Sequence, residues 1–399
     1  MANVITKNVK WLWEKACSRF GKRDPNLWIF GEWMGSRCCD NSLYLANYVA
    51  QNHPEIKAIW ICKSGADTSA LDQRVQRLEM DSPEATRARK NAGVAVMNQG
   101  HVDLCSDGGY LHDGALTVNL WHGVPWKKIG LDTLIGQSAL KKFYGNYMQR
   151  LSRPNCMLAL SESFADILEK KFCIARRNIL CAGYPRNTLF YDAQQMAQAR
   201  RQILEQLRVL GHPMEDNVKI VTYMPTFRDK TADVFSFEQL LNDPRLMEIL
   251  EKHNAVIVQK AHFVSYQRDA EANAVTAKRI VTSNELPAQL LLAATDMLIT
   301  DYSSCFFDYL LTDRPIIHYL YDYAYYANDD RGLYYTKEEV ACGDMPENPD
   351  ALLAAIEANL EQPHKDAELR TLRRQKYMTY EREGCCQEIV RQIRKRQKL

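Results

Sequence analysis

The sequence predicts a two-lobed α/β protein in which each lobe is a parallel sheet covered by helices. Three observations carry this expectation. A chain of 399 residues exceeds what one ordinary hydrophobic core serves and fits two domains with a cleft between them. Short apolar runs alternate with longer helical patterns through both halves, as in βα units. The run 193–210, rich in Ala, Gln, Arg and Leu with no internal Gly or Pro, follows the turn Gly183-Tyr184-Pro185 and separates two such series.

In the first series the strand candidates are 27–30, 58–62, 94–97, 102–105, 116–120, 157–160 and 178–181, with helices over 41–51, 138–151 and 163–171 among them. The second series runs strand 218–223, helix 237–252, strands 255–259 and 279–282, helix 287–294, strand 297–300, helix 304–311 and strand 315–319. From Pro349 onward the pattern is helical, interrupted near Gly384, and the terminal helix is expected to return to the first lobe. The expected division is an N-terminal helix over 1–24, a first lobe over 25–190, a second over 191–375 and a terminal helix over 376–399. No fixed-period repeat and no low-complexity segment occurs.

Composition narrows the function. A net charge of +2 argues against a protein that coats nucleic acid. The twelve cysteines are scattered, with adjacent pairs at Cys38-Cys39 and Cys385-Cys386 and no paired CxxC, which reads as reduced thiols of a cytoplasmic protein rather than a metal site. No apolar stretch approaches the roughly 20 residues that cross a bilayer. At the N-terminus Ile5, Val9, Leu12, Trp13, Ala16 and Phe20 recur at helical spacing among Lys7, Lys10, Lys15, Arg19, Lys22 and Arg23. Two readings stand for this helix: contact with an anionic membrane surface through Trp11, Trp13, Lys7 and Lys10, or packing on its own domain with a solvated basic face.

Candidate chemistry collects where strands give way to loops, the edge at which open α/β sheets bind ligands. His122 follows the run 116–120, beside Gly123, which permits close approach, and Lys127-Lys128, which attract an anion. With its near-neutral intrinsic pKa it can serve as general base toward a hydroxyl. Asp301-Tyr302-Ser303-Ser304 follows the run 297–300 and opens a helix, so it either receives an anion on free N–H groups or merely caps the helix. Lys260 and His262 end another strand, as do Thr226 and Arg228, whose guanidinium suits phosphate. Arg186 closes the first series. The sequence contains no Walker A loop, GxGxxG or GxSxG, and no DxD at a strand end, so a mechanism without metal or cofactor is favoured.

Taken in order, several segments resemble the CDP-glycerol glycerophosphotransferase family of teichoic-acid polymerases and primases. They are Trp121-His122-Gly123-Val124-Pro125-Trp126-Lys127-Lys128-Ile129-Gly130, Gly183-Tyr184-Pro185-Arg186-Asn187, Pro225-Thr226-Phe227-Arg228-Asp229, Asp296 to Ser304, Phe306-Phe307-Asp308-Tyr309, Asp313-Arg314-Pro315-Ile316-Ile317 and Arg331-Gly332. The resemblance implies a GT-B fold, with two Rossmann-like lobes facing across a cleft. It implies transfer of glycerol phosphate or ribitol phosphate from CDP-glycerol or CDP-ribitol to a lipid-linked or glycan acceptor, releasing CMP, in synthesis of teichoic acid, capsule or another surface polymer. His122 then resembles the base that deprotonates the acceptor, with Gly123, Lys127 and Lys128 on the acceptor side. His262, Arg228, Ser303 and Ser304 resemble the group that holds the diphosphate, joined by Thr226, Lys260 and Arg186, while Asp301 orients the turn. The implied place is the cytoplasmic face of a bacterial membrane. Two positions depart from the family pattern: Phe263 after His262, and Cys385-Cys386 after Gly384. A GT-B glycosyltransferase using a nucleotide sugar is the competing reading, and it would release UDP or GDP instead of CMP.

Overall fold

The computed structural model describes residues 2–18, 20–107, 109–212, 214–226, 240, 243–260, 279–283, 285–328 and 332–398, with side chains from residue 9. Two compact units form. One comprises Met1–His122, Ile129–Thr188 and Thr379–Leu399, the other Gly123–Lys128 and Leu189–Met378.

The first unit holds seven strands, β1 (Asp24–Phe30), β2 (Lys57–Cys62), β3 (Gln76–Glu79), β4 (Ala92–Met97), β5 (Leu116–Asn119), β6 (Cys156–Ala159) and β7 (Ile179–Cys181). Their order is β3-β2-β1-β4-β5-β6-β7 and every pairing is parallel. Chain order reverses between β1 and β4. The second unit pairs β8 (Lys219–Met224), β9 (Ala255–Gln259), β10 (Ile280–Thr282), β11 (Met297–Thr300) and β12 (Ile316–His318) in the order β10-β9-β8-β11-β12, again all parallel. Its reversal falls between β8 and β11. Strands covered on both faces read as continuous apolar runs, which is why Ala-Ile-Trp-Ile-Cys at 58–62 and Met-Leu-Ile-Thr at 297–300 were legible.

The helices are α1 (Ala2–Ser18), α2 (Asn41–Asn52), α3 (Pro83–Asn91), α4 (Ala139–Ser152), α5 (Glu162–Phe172), α6 (Ala193–Val209), α7 (Pro244–Lys252), α8 (Ala288–Ala294), α9 (Cys305–Tyr309), α10 (Tyr323–Asn328), α11 (Lys337–Val340), α12 (Pro349–Glu361), α13 (Ala367–Tyr377) and α14 (Cys385–Gln397). Side-chain oxygens of Asp40, Ser82, Ser161 and Asp192 cap α2, α3, α5 and α6. Helix α14 buries Ile389, Val390 and Ile393 in the first unit, as the terminal-helix expectation requires. Cys385 and Cys386 are buried at its start, and Gly384 adopts φ 76 before it, so the departure from the family pattern is filled here by packing thiols.

Two strand expectations change. The run 102–105 forms no strand: a 3-10 turn over His101–Asp103 stands there, because Asp103 turns its carboxylate onto nearby backbone amides. Conversely β3 was missed, because an edge strand reading Gln-Arg-Leu-Glu is polar and largely exposed.

Helix α1 packs with the face opposite to the apolar one. Lys10 bonds Asp107 at 2.5 Å, Lys15 reaches Asp113 at 2.8 Å and the carbonyl of Leu151 at 2.9 Å, and the Trp11 indole stands edge-on to Tyr110. Val9, Leu12, Trp13 and Phe20 point outward, with Trp13 71% and Phe20 84% exposed. The basic face imagined as solvated for a helix packed on its own domain is instead packed at Lys15, while Lys10 stays exposed and pairs with Asp107. The side chain of Lys7 lies outside the described residues.

Beneath α1 a buried histidine pair closes the polar core. The Nδ1 atom of His101 lies 2.7 Å from Nε2 of His112, and Nε2 of His101 lies 3.1 Å from the carbonyl oxygen of Ser152. A carbonyl can only accept, so His101 carries its proton on Nε2 and accepts at Nδ1 from the Nε2–H of His112. That leaves Nδ1 of His112 as a bare acceptor, consistent with its lacking a donor among the described residues. Burial pushes His101 down to about 4 and His112 well below its usual value. A depressed histidine contributes stability that is present above the unfolded value, near 6.5, and is lost as pH falls toward the folded one. Glu32 and Asp103, pushed upward by burial, oppose this trend, so the histidine contribution is read as a difference. Denaturant titrations from pH 7 to pH 5 are expected to show wild type losing about 1 kcal/mol per pH unit more than His101→Phe. Equal slopes would contradict the buried neutral pair.

Candidate active site

At the carboxyl edge of the first sheet, the loop after β1 turns through two residues in the left-handed region, Trp33 at φ 47 and Met34 at φ 55. Side chains from the loop after β4 hold them: Trp33 N–H donates to Gln99 Oε1 at 2.7 Å and Met34 N–H to Asp103 Oδ1 at 2.8 Å. The other carboxylate oxygen of Asp103 accepts from the amides of Asn98 and Gln99 at 2.9 and 2.7 Å. One buried carboxylate thus bridges the loops on either side of the strand-order reversal. Glu32, also buried, accepts from the amides of Cys39 and Asp40, and burial followed by the neighbouring Asp40 pushes its carboxyl well above the usual range.

His122 sits at the end of β5, one strand from that reversal. Trp121 before it is left-handed at φ 58, its N–H capped by Asn119 Oδ1 at 2.8 Å. A tryptophan in this region costs about 1–3 kcal/mol and persists only where its surroundings over-determine it. The His122 ring stacks on the Trp121 indole with centroids 4.5 Å apart, while Trp33 stands 6.3 Å away and Phe172 meets Trp121 edge-on. The histidine is half-buried, set between two tryptophans of unusual backbone conformation. Arg186, expected to bind phosphate, lies buried below, paired with Asp40 and bonded to the His122 carbonyl oxygen.

The residues just after His122 group with the second unit. Trp126 is buried there against Tyr302 and Phe306, its indole N–H donating to the carbonyl of Tyr335 at 2.9 Å. Lys127 pairs with Leu333 in an antiparallel bridge and lies 6.0 Å from the Tyr326 ring centre, and the Lys128 amide donates to Gly332. The sequence reading assigned both lysines to the first lobe; burial of Trp126 carries them into the second.

At the carboxyl edge of the second sheet, Asp301 is buried and its Oδ1 accepts from Thr226 N–H at 2.8 Å and Ser303 N–H at 3.2 Å. Thr226 follows β8 and Asp301 follows β11, so this carboxylate too bridges a reversal point. Tyr302 stacks on Tyr326 at 3.9 Å and its hydroxyl donates to Asp322 at 2.9 Å. Ser303 and Ser304 are half-exposed. Ser304 occupies the cap position of α9 without a side-chain capping bond, so the simple capping explanation of the turn does not hold for that residue. Helix α9 is five residues long and continues as a 3-10 turn, Leu310–Thr312. Lys260 donates to the carbonyl of Leu286 at 2.5 Å. Arg228 and His262 lie outside the described residues, as do Phe263 and Arg331.

The one group of three metal-type side chains among the described residues, His253, Glu357 and Glu361, stands at the amino-terminal edge of β9, away from both loops, and Lys252 already bonds both carboxylates. Sequence reasoning missed Trp33, Asp40, Asn41 and Asp103. The strand-end rule that found His122 applies equally to Trp33, which follows β1.

The family profile described as CDP-Glycerol:Poly(glycerophosphate) glycerophosphotransferase matches residues 15–395. The chain belongs to this family. It is accordingly a transferase of the glycerophosphotransferase type. A teichoic acid glycerol-phosphate transferase of Staphylococcus aureus is 26% identical over 379 residues, 93% of each chain. A teichoic acid poly(glycerol phosphate) polymerase of Staphylococcus epidermidis is 24% identical over 82% of this chain, which spans 44% of that protein's length. In fold the chain is similar to the wall teichoic acid polymerase TagF, with a TM-score of 0.78 at 22% identity over 100% of this chain and 98% of that one. Two parallel sheets of seven and five strands, with that likeness, make this a GT-B type α/β fold.

Asp301→Ala removes the acceptor of two backbone amides beside the hydroxyl turn. Urea unfolding is expected to show a loss of about 2–5 kcal/mol, with Asp301→Asn much milder because its carbonyl oxygen still accepts.

Proposed function

We propose that this chain moves glycerol phosphate, or ribitol phosphate, from its CDP-activated donor to a hydroxyl of a membrane-linked acceptor and releases CMP, in synthesis of a teichoic-acid-like or other surface polymer. The observation that carries this reading is the place of His122: a half-buried imidazole at the carboxyl end of β5, within a family match that spans residues 15–395.

His122 takes the proton of the acceptor hydroxyl as its oxygen attacks the β-phosphorus of the donor. The new P–O bond forms as the bridging P–O bond to the α-phosphate breaks, and CMP leaves with that electron pair. Negative charge then builds on the α-phosphate. The amides and hydroxyls of Ser303 and Ser304, with Arg228 and His262 of the same family motifs, are the donors that answer it, and Asp301 and Thr226 hold the turn in shape. This reading needs no metal.

The acceptor's lipid gives the outward face of α1 a purpose. Helix α4 adds a second such face, with Leu140 78% and Phe143 73% exposed beside Lys141 and Lys142. Lys15 bonds α1 to the last turn of α4. Aromatic and basic side chains of this kind enter an anionic interface without crossing it, and among the described residues no helix is long and apolar enough to span a bilayer. We therefore assign the peripheral contact to Trp13, Phe20 and the α4 face, with Trp11 serving the protein's own packing.

Mass spectrometry of reactions with CDP-glycerol or CDP-ribitol and a short lipid-linked acceptor is expected to show acceptor-dependent CMP, reduced about 100-fold or more in His122→Ala. Release of a nucleoside diphosphate from a nucleotide sugar, with no CMP from either donor, would sink the assignment. In co-sedimentation with anionic vesicles, Trp13→Ser combined with Phe143→Ser is expected to weaken binding several-fold while leaving turnover of a soluble acceptor intact. Unchanged sedimentation would remove the membrane face.

A further inference from the structure

We propose that Arg186 is a positioning residue that acts through His122, holding the histidine turn together with Asp40 and Asn41, and that it does not grip the donor phosphate; this rests on the reading of His122 as the base. Three segments of the first unit meet at the turn. Arg186 Nη1 donates to Asp40 Oδ1 at 2.7 Å and to the His122 carbonyl oxygen at 3.1 Å, with the two side chains of the ion pair 9% and 6% exposed. Asn41 Nδ2 donates to the Trp121 carbonyl oxygen at 2.9 Å, and its Oδ1 accepts from the Arg186 amide at 3.2 Å. The carbonyls on either side of the His122 nitrogen and carbon skeleton are therefore both received by side chains, one from each partner of a closed circuit.

The backbone needs such a circuit. Left-handed Trp121 relaxes unless its neighbours fix it, and relaxation would swing the imidazole away from any fixed hydroxyl. A guanidinium suits this task, since the two N–H bonds of its Nη1 lie in one fixed plane and serve a carboxylate and a carbonyl at once. Asp40 neutralises the charge that burial would otherwise penalise. Asp40 is itself fixed as the cap of α2, accepting from Asn41 N–H at 2.8 Å. Arg186 in turn rides on a loop held from the C-terminal segment: Glu381 Oε2 accepts from Tyr184 N–H at 3.0 Å and from Asn187 Nδ2 at 2.9 Å. A Cβ at Gly183 would stand 2.3 Å from Glu381 Oε1, so a larger residue there would displace the carboxylate that holds the loop.

The test is a double-mutant cycle on the full chain with CDP-glycerol and acceptor, with donor affinity measured separately by calorimetry. Arg186→Gln and Asn41→Ala are each expected to lower kcat about 10- to 100-fold while the Kd for CDP-glycerol stays within about twofold. In a His122→Ala background the same changes are expected to cost less than about threefold, because the group they position is gone. Arg186→Gln leaves Asp40 buried without its partner, so Asp40→Asn combined with Arg186→Gln, which leaves no lone charge, is measured beside it. A rise of tenfold or more in the donor Kd, or a loss that multiplies fully with His122→Ala, overturns the positioning role and leaves the base reading standing. Full activity of His122→Ala overturns both.

Discussion

Where a parallel sheet reverses its strand order, two neighbouring loops leave in opposite directions and their backbone amides lose the ladder that would have received them. Both units meet this constraint with a buried aspartate. Asp103 joins the loops after β1 and β4, and Asp301 joins those after β8 and β11. The Asn98 and Thr226 amides so received would otherwise be unpaired buried donors, a cost comparable to that of a lost hydrogen bond. The loop at the carboxyl edge of each sheet depends on its clamp, since the candidate residues are a few positions away on the same or the neighbouring loop.

The two loop systems are stiffened by different means. In the first unit the scaffold is polar: amide and guanidinium side chains take the carbonyls of a left-handed turn, and a histidine is offered between two indoles. In the second it is aromatic, with Tyr302 stacked on Tyr326 and Trp126 buried against Tyr302 and Phe306, so that Ser303 and Ser304 stand on a packed base. A proton acceptor must be aimed within a fraction of an ångström, and directional bonds achieve that. An anion cradle depends more on keeping its N–H groups fixed as charge develops, which close packing supplies.

Much of this was legible in the sequence because it follows from apolar runs and where they stop. The apolar run through β5 stops at His122-Gly123 and that of β11 at Asp301, so both turns could be located at strand ends from the sequence. What escaped was decided by tertiary context. The polar edge strand β3 has no apolar signal of its own, and Asp103 turns an apolar-looking run into a turn. That Asp40, 146 positions away, stands against Arg186 is likewise set by the fold and not by any local pattern. Lys127 and Lys128 follow Trp126 into the second unit, a consequence of burying one indole. In α1 the apolar residues do recur at helical spacing, yet the inward face is the one with Trp11 and Lys15, because Tyr110 and Asp113 await it.

The grip of Glu381 on the loop that carries Arg186 sets an order of events during synthesis. Glu381 is made 197 positions after Tyr184, to which it bonds. At about 5–20 residues per second that interval lasts roughly 10–40 s. All seven strands of the first unit have been polymerised before that interval begins, while one of their anchors has not. The loop behind the histidine turn thus gains this anchor only after the strands of both sheets have been made, so a polypeptide cut short before Glu381 would carry all the motif residues from His122 to Arg331 and still lack it.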